Sequence, residues 1–599
     1  MIYHCEDYTC NYWDEGEKLP ERCPQCGRKL LRANEADMTG DDWTALGNTL
    51  WDAEASDKKR MVDCFRKAAY LGSAWGVCNL GICMEQGNGV EADPVQAFWL
   101  YQQAVEMGSL NAVCCLGVCY EYGIGTAPDA EKAAELYCKA AEYGSPRGQM
   151  LLAHAFHDGI GVEADAAEAV YWVRAAAYQR YGEGMYRLGV CYEYGDGVEQ
   201  NWEHAVHWFR EAAESGVSVA MAVLGYCYEK GCGVEQSWEQ AFSWYRRGAE
   251  CGDPVSMSNL GLCYKRGYGV EQNWQEAIKW YEQGAQCGDL QSMHNLACCY
   301  ERGEGVEQNE ERALYWYRRS AEGGNGDAMC NLGRCYERGY GVEQNWQEAV
   351  KWYEQGAQCG NLQSMHSLAY CYERGEGVKQ NMTEAIRWYT AAAEGGNADA
   401  MHNLGWHYDY GEGVEQDMKK AICWYERAAE QNHPAAMNSL GECYAMGLGV
   451  PRDLETAMEW YRRAAELGEA MADYNMGWHL EQAGKLSEAY AHYRKAADGN
   501  DDSAWWALGR FYENGVVVVQ DGKEARCCYE TGEKLGSVKC KMRLARCKLL
   551  GIGGRRAKNA GLDLCRQALE LAKGSSEKED YGYEAEMNLL RRTIAENES

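Results

Sequence analysis

Apolar and polar positions along this chain recur with a fixed period. Leu80, Leu116, Leu152, Leu188, Leu224, Leu260, Leu296, Leu332, Leu368, Leu404 and Leu440 are spaced by 36 residues. Within one unit, Met257, Leu260, Cys263 and Tyr264 fall at i, i+3, i+6 and i+7, which predicts one face of a first helix. Ala277, Trp280, Tyr281 and Ala285 predict the inner face of a second. Gly267 sits where the first helix should end, and Gly269 and Val270 form the turn, with the valine tucked inward. Asn273 is placed to cap the second helix, with Glu276 three residues on as a capping box. Gly288 ends it. Gly261, small and mid-helix, marks a close approach by a neighbouring helix.

The repetition is near literal in places. Gly267 to Ala297 returns at Gly339 to Ala369 with three changes in 31 positions: Ile278/Val350, Asp289/Asn361 and Asn295/Ser367. A chain of 599 residues would ordinarily suggest about four globular domains. Stacked repeats override that expectation, because each unit buries its apolar face against its neighbours in one continuous core. The predicted fold is therefore an all-α array of about 14 antiparallel helix pairs.

The pattern loosens at both ends. The unit from Trp43 to Ser73 lacks the Gly-x-Gly-Val turn, as terminal units often do. Met476 to Leu508 spans 32 residues, and Glu481 to Lys485 replace the usual loop with a shorter turn. Gly515 to Val519, Gly-Val-Val-Val-Val, is read as a buried turn. Residues 577–599 form a charged helix with Met587, Leu590 and Ile594 on one face, an end cap. The domain reading is 1–37, a cysteine-bearing segment; 38–574, the repeats; and 575–599, the cap.

The L-G-x-x-Y, G-x-G-V and A-x-x-W-Y-x-x-A-A signature resembles the Sel-one-like repeat, an α/α relative of the tetratricopeptide repeat, over roughly residues 43–574. The resemblance implies a right-handed superhelical solenoid that assembles other proteins on its concave face. It implies no catalysis. In some secreted members of that family disulfides cross-link the helix pairs, through paired cysteines recurring within each unit. Here a single recurring cysteine dominates, as at Cys191, Cys227, Cys263, Cys335 and Cys371.

Composition refines this picture. Six Phe stand against 42 Tyr and 22 Trp, rings suited to half-buried positions in a thin structure. The net charge of −32 repels nucleic acid and anionic membranes, and favours a partner with basic segments. No stretch approaches the roughly 20 apolar residues that span a bilayer. The opening MIYHCEDYTC has neither a basic start nor an apolar run. With most of the 30 Cys placed beside Leu and Tyr on helices, the expectation is a reduced, cytoplasmic protein.

The N-terminal segment differs in kind. Cys5, Cys10, Cys23 and Cys26 read C-x4-C-x12-C-x2-C, two pairs that supply four thiolates to a tetrahedral structural zinc. So short a segment builds no sufficient core, so the metal would supply its folding energy. The pattern resembles a zinc ribbon whose first pair is looser than usual. Residues 1–37 carry five Lys and Arg against eight Asp and Glu, which argues against nucleic acid. Four thiolates leave no open position for catalysis.

No H-E-x-x-H or Walker phosphate loop occurs, and the repeated G-x-G joins helix to helix rather than strand to helix. The chain is read as a non-enzyme. Function should then sit where the repeats differ from one another. Counted from the repeat leucine, positions −2 and +2 share a helix face and vary. Among them are Tyr226, Leu262, Arg334, Tyr370 and Trp406 at +2, and His294, His366 and His402 at −2. Tyr, Trp and Arg dominate binding hot spots. The family resemblance puts this row on the groove floor, so these eight residues are the candidate partner site. The three histidines lie on helices about 8–10 Å apart, too far to share one ion, and are read as groove polarity. Two other readings stand beside the scaffold: a regulatory protein whose ribbon contacts nucleic acid or senses redox state, and a bacterial effector acting on host proteins.

Overall fold

The computed structural model describes residues 2–5, 13–15, 30–33, 38–51, 55–574 and 583–598. They form two compact units, 1–308 and 309–599. The first opens with three short strands, β1 (Ile2–Cys5), β2 (Trp13–Glu15) and β3 (Leu30–Ala33). β1 lies between the other two and is antiparallel to both, with Tyr3 opposite Asp14 and Arg32. Cys5 closes β1 opposite Leu30. Cys10, Cys23 and Cys26 fall outside the described residues, and so does the arrangement of the four thiols.

Helices make up the remaining regular structure. In the first unit they run from Gly40–Thr49 to Leu290–Arg302, and in the second from Glu310–Glu322 to Tyr583–Glu598. Within each unit they stack as consecutive antiparallel pairs, and each pair is named below by its repeat leucine. The Leu260 pair shows how the sequence does this. Asp253 caps Pro254–Arg266 by accepting from the Ser256 amide at 2.6 Å, with Pro254 in the first turn. The helix ends at Gly267, in the left-handed region at φ +75°, whose amide donates to the Cys263 carbonyl at 2.8 Å. Gly269 is also left-handed, and a Cβ there would lie 2.2 Å from the Trp238 carbonyl of the preceding repeat. The turn thus nests against the neighbouring helix, which only glycine permits.

Asn273 caps Trp274–Gln286 by accepting from the Glu276 amide at 3.2 Å. The reciprocal half of the expected capping box is not formed. The Asn273 amide already donates to the Tyr264 carbonyl at 2.9 Å, and the Glu276 carboxylate meets Lys279 at 3.3 Å.

Leu260, Ala277, Tyr281 and Ala285 are fully buried. The close approach expected at Gly261 comes from Tyr281 of the same pair, whose ring would lie 2.5 Å from a Cβ there. That ring carries a polar device the periodicity did not show. Its equivalents Tyr101, Tyr137 and Tyr245 donate their hydroxyls to Glu85, Glu121 and Glu229, sixteen residues earlier, at 2.6, 2.6 and 2.9 Å. In the second unit Tyr353, Tyr389 and Tyr529 do the same to Glu337, Glu373 and Glu513 at 2.5, 2.8 and 2.8 Å. A bond to a carboxylate answers the need of a buried hydroxyl for a partner. Where the first helix offers Lys265 instead, the Tyr281 hydroxyl is buried without a partner. The short repeat keeps the bond: Tyr493 reaches Glu481 at 2.7 Å across twelve residues rather than sixteen.

The valine turn departs from expectation. Val516 and Val518 pack inward, but Val517 is 50 % and Val519 87 % exposed. Val517 occupies the place of the second turn glycine and adopts φ +64°. The turn keeps its left-handed backbone at Val517 and leaves that side chain half in solvent, where the equivalent Gly269 nests against the preceding repeat's helix. The closing helix Tyr583–Glu598 buries Leu590 and packs Met587 and Ile594 beside Met542 and Leu549. Glu586 receives Arg543 at 2.5 Å and the Trp506 indole at 3.2 Å.

Candidate functional site

The row at −2 and +2 is built by the first helices, whose leucines turn inward and leave these positions at the edge of the core. In the first unit Tyr226 is 45 % exposed, with the Lys230 ammonium 5.8 Å from its ring. Leu262 and His294 are half-buried, and His294 lies 3.7 Å from Cys298. In the second unit Arg334, Tyr370 and Trp406 are half-buried. The Arg334 guanidinium donates to Asn331 at 3.0 Å, Arg374 lies 5.2 Å from the Tyr370 ring, and Tyr410 packs 4.9 Å from Trp406.

The −2 residues of the second unit do more than line a surface. Asn403 of the next repeat donates to His366 Nε2 at 3.0 Å. His402 Nε2 lies 3.4 Å from the Ser439 hydroxyl, and Asn475 donates to Asn438 at 3.0 Å. Each link crosses 37 residues, so these side chains form a polar ladder joining successive first helices. His433 adds a rung. Its Nδ1 accepts from the Ala436 amide at 3.1 Å, which leaves Nε2–H to donate to Asp399 at 3.1 Å. Its ring stacks on His402 at 5.1 Å.

Burial pulls the His402 imidazole down to about 4, and the neighbouring His433 adds to the effect. Burial also lowers His366. Both rings are therefore neutral at pH 7, which lets His366 Nε2 accept from the Asn403 amide. Repeat-to-repeat bonding is the role sequence comparison missed at these positions. Its signal was present in the polar residues Asn403, Ser439 and Asn475, which sit one repeat further on.

A second feature lies in the first unit. The Leu152 repeat has Val173 where the buried tyrosine should stand and His157 where its glutamate partner should stand. A cleft of about 550 Å³ opens there, walled by Met150, Val170, Val173 and Val190, with His157 and Asp196 at its polar end. His157 Nδ1 lies 2.5 Å from Asp158, and its Nε2 3.2 Å from Asp196. The Asp158 contact, with Asp196 behind it, holds this imidazole above its ordinary range.

Among the described residues no group of three or more His, Cys, Asp or Glu side chains is arranged to hold a metal ion. No disulfide joins the cysteines among them. No described helix is long and apolar enough to cross a membrane.

A comparison with the curated proteins finds no match. Among solved structures, c5321, a protective antigen of uropathogenic Escherichia coli with an SLR fold, is 32 % identical. It aligns over 75 % of this chain and 97 % of its own, with a TM-score of 0.53. A Sel1 repeat protein from Oxalobacter formigenes is also 32 % identical, over 41 % of this chain and 96 % of its own, with a TM-score of 0.38. The Sel1 repeat model matches thirteen segments, the first at 76–109 and the last at 504–537. Matched along most of its length and built from the helix pairs described above, this chain belongs to the Sel1 repeat family.

Proposed function

We propose that the chain is a non-catalytic scaffold that binds protein or peptide partners along its first-helix row. Sel1 and tetratricopeptide-like repeats generally mediate protein–protein interaction. One observation supports the reading most. Leu332, Leu368, Leu404 and Leu440 are invariant and buried, while the position two residues on changes from Arg334 to Tyr370 to Trp406 to Glu442 and faces half outward. Packing alone selects no such variety of large side chains, and Tyr, Trp and Arg are the residues on which binding energy concentrates. The acidic surface adds attraction for a partner segment that is basic around an apolar anchor.

The −2 residues His366 and His402 support this surface from beneath, as rungs that hold neighbouring helices in register. The test is affinity capture from the native cell with the full chain and with Tyr370→Ala/Trp406→Ala side by side. The double variant should keep its helicity and lose about 2 kcal/mol or more of partner affinity. Equal capture, or an unfolded variant, refutes the assignment.

The N-terminal segment is the metal-binding part of this reading. Cys5, Cys10, Cys23 and Cys26 offer the all-thiolate donor set that zinc takes in structural sites, and β1 to β3 are the small sheet such a site would support. The metal would supply folding energy to a segment too short for a core of its own. Metal analysis should find about one zinc per chain. Cys23→Ser should lose it while the helical signal of the repeats stays unchanged.

A further inference from the structure

The Tyr–Glu bond recurs through both units, so its departures carry information. At the Leu188 repeat Phe209 keeps the ring, fully buried, and only the hydroxyl is missing. At the Leu260 repeat the ring is kept and only the acceptor is missing. At the Leu152 repeat both members change together, to Val173 and His157, and both line a cleft of about 550 Å³. A tyrosine side chain buries on the order of 150–250 Å², and a well-packed interior does not leave the volume of a ring vacant. The cleft is walled on one side by the first helix Pro146–Asp158 and on the other by Gly182–Tyr194. Met150 at −2, with His154 and Val190 at +2, put the cleft on the variable row.

We infer that this cleft takes a phenolic ring, the side chain of a tyrosine presented by a bound peptide. The wall supplies what the ring needs. Val170, Val173 and Val190 meet its faces, as apolar side chains meet the intramolecular tyrosine in the other repeats. The polar end supplies what the hydroxyl needs. His157 stands at the glutamate position with both ring nitrogens engaged by Asp158 and Asp196, so the carboxylates carry the acceptor capacity. A phenol donates to such an oxygen at the distance and angle ordinary for O–H···O⁻ bonds. A phenylalanine ring fills the apolar part and makes no bond to the carboxylates, which keep only their contacts with His154 and His157. That the ring belongs to a peptide rests on the scaffold reading above; that the cleft accepts the ring does not.

The test uses the full chain with p-cresol, the tyrosine side chain itself, against toluene, followed by ligand-observed NMR titration. Saturable p-cresol binding several-fold tighter than toluene is expected. Val173→Tyr should fill the cleft from within, abolish p-cresol binding and leave melting unchanged or higher. Val173→Met, which extends into the same space without a ring, should weaken binding should the tyrosine variant fail to fold. No p-cresol binding to the wild type, or binding unaffected by both variants, overturns the inference and leaves the scaffold reading intact. Toluene binding as tightly as p-cresol overturns the role of the carboxylates. A second arm titrates N-acetyl-Gly-Tyr-Gly amide and its Phe counterpart. Competition of the tyrosine peptide with p-cresol supports the peptide source, and p-cresol binding without any peptide binding overturns it.

Discussion

The same substitution should have opposite consequences in two repeats of this chain. Tyr137 and Tyr281 are equivalent residues in the first unit, both fully buried. The Tyr137 hydroxyl donates to Glu121 at 2.6 Å, whereas the Tyr281 hydroxyl has no partner. Removing a buried hydroxyl bonded to a carboxylate costs about 1.5–3 kcal/mol. Glu121 is only half-buried and regains water when the donor is lost, which places Tyr137→Phe at about 1–2 kcal/mol of destabilisation. Tyr281→Phe removes a desolvated group that receives nothing in return. The ring contacts with Gly261 remain, so the change should be neutral or stabilising by up to about 1 kcal/mol. Long repeat arrays do not unfold as one two-state unit, so the assay is hydrogen exchange read by mass spectrometry. Amides of Ala130–Glu142 should exchange about five- to thirty-fold faster in Tyr137→Phe. Those of Trp274–Gln286 should exchange no faster, or more slowly, in Tyr281→Phe. Equal acceleration in both variants would show that the hydroxyl's contribution does not depend on its carboxylate partner, and would refute the reasoning.

Three further outcomes follow from particular side chains. His402 is held neutral, with its folded value near 4 below the unfolded value of about 6.5. The unfolded chain therefore binds the extra proton first. The stabilising contribution is complete above about pH 6.5 and is lost as pH falls towards 4, by about 1–3 kcal/mol. Exchange of Ala398–Tyr410 should accelerate over that window in the wild type, and His402→Asn should remove the His402 share of the acceleration. Val517 sits at φ +64° on an exposed turn, so Val517→Gly should stabilise by about 1 kcal/mol despite the entropy glycine adds to the unfolded chain; a lower melting temperature would contradict this. Glu586 is 4 % exposed and joins Arg543 and Trp506 to the closing helix. Glu586→Ala removes one of the two carboxylates that hold the buried Arg543 guanidinium and leaves Glu513 at 3.2 Å, at a cost of about 1.5–3 kcal/mol, and limited proteolysis should then release the helix Tyr583–Glu598 before any repeat is cut.

Local chemistry determined most of the architecture. The 36-residue period, the apolar spacing within each helix, the left-handed glycines at 267 and 269 and the asparagine cap at 273 act over a few residues, and the helix pairs form where that spacing predicts. The capping box failed because its amide was claimed by Tyr264, a partner nine residues away that a four-residue motif does not include. Val517 and Val519 were read as buried because valine is apolar. The turn's backbone decided otherwise, since it stays left-handed at Val517 and leaves that side chain half in solvent. Position −2 varied among repeats and so resembled a free surface. His366 and His402 in fact bond the next repeat, because stacking brings residues 37 apart to hydrogen-bond distance and a single helix carries no record of that approach. Val173 and His157 are plain in the chain as departures from their own repeats. That their joint loss opens a cleft follows only from the tertiary structure, where the missing ring and its missing acceptor prove to have been one contact.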